Sequence, residues 1–207
     1  MAEQIAPYAL TTRQRVKERF AITSTSFDVL LDRIISGMTD FIEGECNRRF
    51  KKTTYTNEMY SVNGSSPRFI FLKQTPVILL TSLEYRAGAP SNPSWTNFLT
   101  DNYELLEDGR SGIIRMYSGI SSGINQIRAT YDAGYLIDFA NAGTGTHTLP
   151  FDLTDLCERL VTKVFKKREA EGRSSESYEG GTVSWKELLD DADKATINRY
   201  RRLPAFA

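Results

Sequence analysis

Histidine is almost missing from this chain: His147 is the only one in 207 residues. No group of imidazoles can therefore hold a metal, and two cysteines, Cys46 and Cys157, supply no spaced pair of thiolates. Two thiols are also too few for a disulfide scaffold. Both fall at apolar-periodic positions of expected helices, where a free cysteine acts as a small hydrophobe, so reduced core thiols are expected. No stretch approaches the ~18 apolar residues of a membrane span. The opening MAEQIAPYAL has no basic segment followed by an apolar run, so no secretory signal is expected, and the setting is a cytosol. An excess of one charge is absent too: 26 Lys and Arg balance 26 Asp and Glu. No overall field draws the protein to nucleic acid or anionic lipid. The Gly-Lys-Ser/Thr phosphate cradle does not occur.

What is present is an ordinary globular mixture. Hydrophobic residues make up 40% and glycines number 14, enough for a core in one domain, with or without an arm. A short first helix is expected from Thr12 to Phe20, opened by a capping box of Thr11 and Gln14. Val16 and Phe20 share one face, and Arg13, Arg15, Lys17 and Arg19 make the rest basic. A second helix, from Ser26 to Cys46, has candidate caps in Ser24, Thr25 and Ser26, with Asp28 near its positive start. Phe27, Leu30, Leu31, Ile34, Ile35, Met38, Phe41 and Ile42 form one stripe at helical spacing. Asn47, tolerant of a left-handed backbone, is placed to end it.

From about Thr54 to Tyr131 the pattern changes to strands and turns. Tyr55–Val62, Asn63-Gly64 and Phe69–Leu72 read as a hairpin. Val77, Leu79, Thr81, Leu83 and Tyr85 alternate along one face. Ala87 to Pro93 has loop composition. Tyr103–Leu106, an Asp108-Gly109 turn and Ile113–Tyr117 read as a second hairpin, and Ile124–Tyr131 closes the region. Hairpins alone are marginal in water, so the strands need a packing partner, for which the helix stripe is the candidate.

Asp138 to Thr148 is a Gly/Thr/Ala-rich connector. Pro150 fits the first position of a third helix reaching about Glu171. Leu153, Leu156, Cys157, Leu160, Val161 and Val164 form its stripe, and Lys166, Lys167 and Arg168 sit at its negative end. Leu31, Ile34, Ile35, Met38, Leu156, Leu160 and Val164 are expected to meet in one core. Residues 172–182 have the composition of a flexible tether. A fourth helix is expected from Ser184 to Arg201, with a capping box of Ser184 and Glu187 and an inward face of Trp185, Leu188, Leu189, Ala192 and Ala195. The organisation is thus a body over 1–171, a linker over 172–182 and a helical arm over 183–207. The class is α+β: two N-terminal and two C-terminal helices around an inserted antiparallel β-sheet region.

Chemical motifs are few. Gly119-Ile120-Ser121-Ser122-Gly123 matches G-x-S-x-G, and Asp132, Asp138 and His147 follow in hydrolase order. A nucleophile elbow needs strand, sharp turn and helix; both flanks here are strand-like, so a hairpin turn is expected instead. His147 reads as a loop residue. Asp190, Asp191 and Asp193 lack the glycine and terminal glutamate of a calcium loop and read as an acidic helix start. Gly143-Thr-Gly145 reads as a loop, and Asn63-Gly64-Ser65 as a turn. Arg48, Arg49, Lys51 and Lys52, then Lys166 to Arg168, then Arg199, Arg201 and Arg202 are basic clusters. Balancing acids make them solvated faces.

The order of parts resembles a known family. Tyr8-Ala-Leu-Thr-Thr opens a short helix ending at Phe20-Ala-Ile-Thr. Phe27-Asp-Val-Leu-Leu-Asp-Arg-Ile-Ile continues to Phe41-Ile-Glu and Cys46-Asn-Arg-Arg-Phe50. Leu72-Lys-Gln-Thr-Pro-Val-Ile, Ile127-Arg-Ala-Thr-Tyr-Asp-Ala-Gly-Tyr135 and Leu149-Pro-Phe-Asp-Leu come next. Over roughly residues 8–170 this resembles the head–tail connector (adaptor, or head-completion) proteins of tailed bacteriophages. The resemblance implies a structural virion protein, not an enzyme, with no catalytic residue, cofactor or metal. It implies a ring, commonly of twelve copies, beneath the portal vertex. The implied partners are the portal protein, neighbouring copies, the next neck or tail component and the packaged DNA, which passes without sequence readout; no membrane is involved. Assembly would take place in the host cytoplasm. Candidate portal or subunit contacts are Trp185, Leu188, Leu189, Arg201, Arg202, Leu203 and Phe206. Zero net charge suits a channel wall along which DNA slides. The competing readings are another neck or tail-completion protein, a small DNA-binding protein using the basic ends of the first and third helices, and an esterase built on Ser121.

Overall fold

A computed structural model describes residues 5–63, 68–87, 92, 94–141, 146–167, 175–178, 181–184 and 188–202. In chain order the elements are α1 (Arg13–Phe20), α2 (Asp28–Cys46), β1 (Thr53–Val62), β2 (Phe69–Phe71), β3 (Val77–Ala87), β4 (Ser94–Asn97), β5 (Tyr103–Leu105), β6 (Ile113–Met116), β7 (Gly123–Ala133), α3 (Phe151–Lys167), β8 (Ser175–Tyr178), β9 (Gly181–Ser184) and α4 (Asp191–Tyr200). Helices at both ends and antiparallel sheets between them make the expected α+β fold. The chain divides into a helical unit, up to Arg48 and again from Ile137 to Arg202, and a β unit, Arg49–Leu136.

In the helical unit, local chemistry sets the helix ends. Thr12, not Thr11, caps α1: its hydroxyl accepts from the Arg15 N–H at 3.3 Å. Thr11 is buried and donates instead to Glu158 Oε1 at 3.0 Å. The hydroxyls of Ser24 and Ser26 bond each other, so α2 begins after Phe27 without a side-chain cap, two residues later than the sequence suggested. Asn47, at φ 50°, ends α2 in the left-handed conformation, as its position suggested. The N–H groups of Leu153 and Thr154 donate to the Pro150 carbonyl where α3 begins.

The long stripes pack on each other. Leu31, Ile35, Ile42 and Cys46 of α2 are buried, as are Leu153, Leu156, Cys157, Leu160, Val161 and Phe165 of α3, and the two helices are in contact. Thr39 Oγ1 lies 3.9 Å from Cys157 Sγ at their crossing. Ile34, Met38 and Val164 are only half-buried, at the flanks of the contact and not in its centre. Phe165 takes the inward position expected of Val164, because the rings of Phe20 and Phe27 come to 5.5 and 5.4 Å from it.

The last segment differs most from expectation. Ser184 closes β9, so it opens no helix; α4 begins at Asp191. Within the tether composition, β8 and β9 pair as an antiparallel hairpin, Ser175 opposite Ser184 and Tyr178 opposite Gly181. Glu187 lies outside the described residues.

In the β unit, the expected partner for the strands gives way to a second sheet. The strands form a four-stranded sheet, β1-β7-β3-β4, and a three-stranded sheet, β2-β6-β5. Tyr60, Val62, Val77, Leu83, Ile127 and Tyr131 of the first share one core with Ile70, Ile114 and Met116 of the second. Two stacked layers bury inward faces in this way. It also explains two corrections. β1 and β2 flank Asn63-Gly64 yet pair with β7 and β6, not with each other. Gly119–Gly123 likewise links strands of different sheets and is no hairpin turn. The β5–β6 hairpin does form, Tyr103 opposite Met116. Its turn needs Gly109: φ is 83°, and a Cβ there would lie 2.1 Å from the Val77 carbonyl oxygen.

The expected alternation along β3 fails because the register against β7 shifts between Val77 and Leu79 and again between Leu80 and Ser82. Each shift reverses the face that later residues of the strand present. Val77 and Leu83 are buried, while Leu79 is 57% exposed. A buried polar group also lies in this core. The phenols of Tyr60 and Tyr131 both donate to Glu58 Oε2, and burial pushes both phenol pKa values up.

Two outcomes check this packing. Ile35 is fully buried, so Ile35→Ala should lower the unfolding free energy by about 2–5 kcal/mol in urea titration. Burial holds the Cys46 thiol up to about 11 and Cys157 to about 12. Neither should react with a thiol reagent at pH 8 in the folded protein, and both should react in denaturant.

Candidate interaction surfaces

The C-terminal segment carries the residues that the sequence nominates for contact. A helix as short as α4 is marginal alone and must bury a face. Here it packs on α2 and α3 of its own chain. The inward residues are Asp193 and Ile197, both buried, with Thr196 and Tyr200 half-buried; Ala192 and Ala195 are exposed. A buried carboxylate must be paired. Arg159 and Lys163, one turn apart on α3, supply the pairing: Arg159 to Asp193 Oδ1 at 3.0 Å and Lys163 Nζ to Asp193 Oδ2 at 2.5 Å. Asp190 and Asp193 form the capping box expected of Ser184 and Glu187, Asp190 accepting from the Asp193 N–H at 2.9 Å. Counting apolar residues could not find this face, because its central member is charged.

The nominated residues are divided by the structure. Leu188 and Leu189 are half-buried, and the Leu188 carbonyl accepts from Lys163 Nζ at 3.2 Å. Arg201 Nε donates to the Glu45 carbonyl and Nη2 to Glu45 Oε2, both at 2.9 Å, at the negative end of α2. The Arg202 N–H donates to the Cys46 carbonyl at 2.9 Å. Arg199 pairs with Asp152 at 2.8 Å. Trp185, Leu203 and Phe206 lie outside the described residues.

The basic face of α1 is paired too. Arg13 reaches Asp28 at 2.7 Å and Asp32 at 2.9 Å, Lys17 reaches Asp28 at 2.8 Å, and Arg15 reaches Glu158 at 2.9 Å. Arg19 reaches Asp155 at 2.8 Å. Hydrogen bonds from Lys17 and then Arg13 hold the Asp28 carboxyl below the usual range. A DNA phosphate would have to compete with these carboxylates.

The serine motif has no hydrolase setting. β7 begins at Gly123, so no helix follows Ser121. His147 Nδ1 accepts from the Asp138 N–H at 3.0 Å, and its ring lies 4.8 Å from that of Phe139. Partial burial, then nearby Arg15, lowers the His147 pKa. Asp138 binds Asn141 within its own loop, and Asp132 binds Thr54 and Lys52. Among the described residues no group of three His, Cys, Asp or Glu could hold a metal, and no helix is long and apolar enough to cross a membrane. Asp190 and Asp193 face cations on α3, which occupies them.

One surface escaped the sequence reading. On β2, Ile70 points into the core while Phe69 and Phe71 are 47% and 53% exposed. Tyr117, after β6, is 58% exposed. Arg115 lies opposite Phe69 and 5.6 Å from the Tyr117 ring, and the Tyr117 hydroxyl donates to Glu104 at 2.8 Å. The available signal was Phe69-Ile-Phe-Leu72 itself: apolar on both faces, although only one face has a core beneath it.

The paired arm gives a pH test. Lys163, then the Asp193 N–H, lowers the Asp190 pKa to about 2. A depressed carboxylate contributes stability above its unfolded pKa of ~3.9, lost as pH falls toward the folded value. Asp190→Ala should remove about 1 kcal/mol at pH 7 through the lost cap. The difference from the unmodified chain should shrink between about pH 4 and pH 2 in urea titrations.

No family model and no curated protein matches this sequence. Solved structures do match, along the whole chain. One is a chain in the neck of an empty gene transfer agent (GTA) particle computed with C6 symmetry: TM-score 0.54, 14% identity, 100% of this chain and 97% of that chain covered. Another is from the neck of the native GTA particle computed with C12 symmetry: TM-score 0.55, 15% identity, with the same coverage. At such identities the likeness is one of fold: this chain has, end to end, the fold of chains found in the neck of GTA particles.

Proposed function

We propose that this chain is a structural neck component of a tailed-phage-like particle, a head–tail connector. In this reading, copies form a ring beneath the portal protein, commonly of twelve. The ring extends the channel through which packaged DNA passes and presents a surface to the next neck or tail component. The observation that carries the reading is the end-to-end fold likeness to chains of necks computed with C6 and C12 symmetry. The internal pairing of Arg13 and Arg15 on α1 and of Arg199 on α4 supports a wall without sequence readout. The occupied Asp138 and His147 support a part that does no chemistry. Trp185, Leu188, Leu189, Arg201, Arg202, Leu203 and Phe206 are proposed as the portal or subunit contact.

The test is imaging of the protein mixed with portal-bearing, DNA-filled heads that lack it. A ring of added density at the portal vertex is expected; heads left bare at saturating protein would overturn the reading. Removing residues 172 onward would strand Arg159 and Lys163 without Asp193, so the sparing variant ends at Arg202. Loss of residues 203–207 keeps the pairings of Asp193 and Arg201 in the helical unit, and circular dichroism should show its helix content unchanged. Head occupancy should fall at least about tenfold if the tail is the contact.

A further inference from the structure

The hairpin β8–β9 is a sheet of two strands only. A two-stranded ribbon is at best marginally stable in water and gains by adding a strand. Its register sets Ser175 opposite Ser184, Glu176 opposite Val183, Ser177 opposite Thr182 and Tyr178 opposite Gly181.

The β unit offers an open edge with a matching deficit. β2 is the outer strand of β2-β6-β5. The Leu72 N–H donates to Gly112 at 2.8 Å, and the Arg68 carbonyl accepts from Met116 at 2.7 Å. Even-numbered residues therefore face β6, and the backbone N–H and C=O groups of Phe69 and Phe71 point to the open side. The exposed rings of β2 belong to the same two residues. Unpaired edges template strand addition, and native proteins blunt them with lysine, proline or a bulge. β1, another outer strand, is blunted: its register shifts between Tyr55 and Glu58, with Asn57 at φ 54°. β2 pairs with β6 in unbroken register and holds no charge or proline in Phe69–Phe71.

We propose that the β8–β9 hairpin of one copy adds to the β2 edge of a neighbouring copy, extending its three-stranded sheet across the subunit boundary. The proposal rests on the ring reading above. A hairpin on one surface and an edge on another make a head-to-tail contact, the kind that closes a ring when the rotation closes. Backbone bonds give the contact its strength.

A photo-crosslinking phenylalanine analogue at Phe71 tests this, in rings assembled on heads from a mixture of isotope-labelled and unlabelled full-length copies. The expected product joins position 71 to the peptide 175–184 and includes labelled–unlabelled pairs. Phe69→Pro, made in the chain that carries the analogue at position 71, removes an outward N–H that β6 does not use. It should cut the product at least about tenfold, with circular dichroism unchanged. Deleting 175–184 should do the same, which keeps the test valid if Phe69→Pro fails to fold. Rings that form with crosslinks only inside one copy, or to the portal or tail component, overturn the hairpin exchange and leave the ring reading standing. Heads left bare by the unmodified chain overturn both.

Discussion

Everything else in the molecule depends on how the inserted β unit begins and ends. The Tyr135 N–H donates to the Phe50 carbonyl at 2.6 Å, and the Lys52 N–H to the Tyr135 carbonyl at 2.8 Å. Entry and exit are thereby held side by side, continued by β1 against β7 with Thr53 opposite Ala133. Only glycine fits between: Gly134 has φ 109°, and a Cβ would lie 2.7 Å from the Lys51 carbonyl oxygen. A whole β unit can thus be inserted while α2 and α3 still meet, although Thr39 and Cys157 at their crossing are 118 residues apart. The short Ala-Gly-Tyr motif that contributed to the family resemblance has here a steric cause.

Charge is organised by the same economy of contacts. A formal net charge of zero could describe a surface of scattered, solvated ions. Here much of it is structural: α1 is tied to α2 through Asp28 and Asp32 and to α3 through Asp155 and Glu158, and α3 is tied to α4 through Asp193. Exposed pairs of this kind contribute little singly. Those on buried Asp32 and Asp193 matter more, because breaking either leaves a carboxylate desolvated and alone. The cost of that state fixes which faces of α1 and α4 turn inward. These commitments also set what the protein offers to others. Its cations are largely engaged, its one histidine holds a loop, and its serine motif is a link between sheets. Among the described residues, exposed aromatic rings lie on the short strand β2 at a sheet edge.

The sequence by itself determined the class, the placing of helices at both ends with a β region between them, and the ends of several helices. The stripes from Leu31 to Ile42 and from Leu153 to Val161 could be read because burial repeats every three to four residues along a helix. Asn47 and the Asp108-Gly109 turn could be read because local backbone strain restricts which residues fit there. Tertiary structure decided what local spacing does not encode. It sent β1 and β2 to different sheets, since two layers bury more than one hairpin. It shifted the register of β3 through bulges that leave no trace in hydropathy. It placed a charged residue, Asp193, at the centre of the α4 face, because Arg159 and Lys163 arrive from a helix far away in the chain and only the folded molecule brings those charges together.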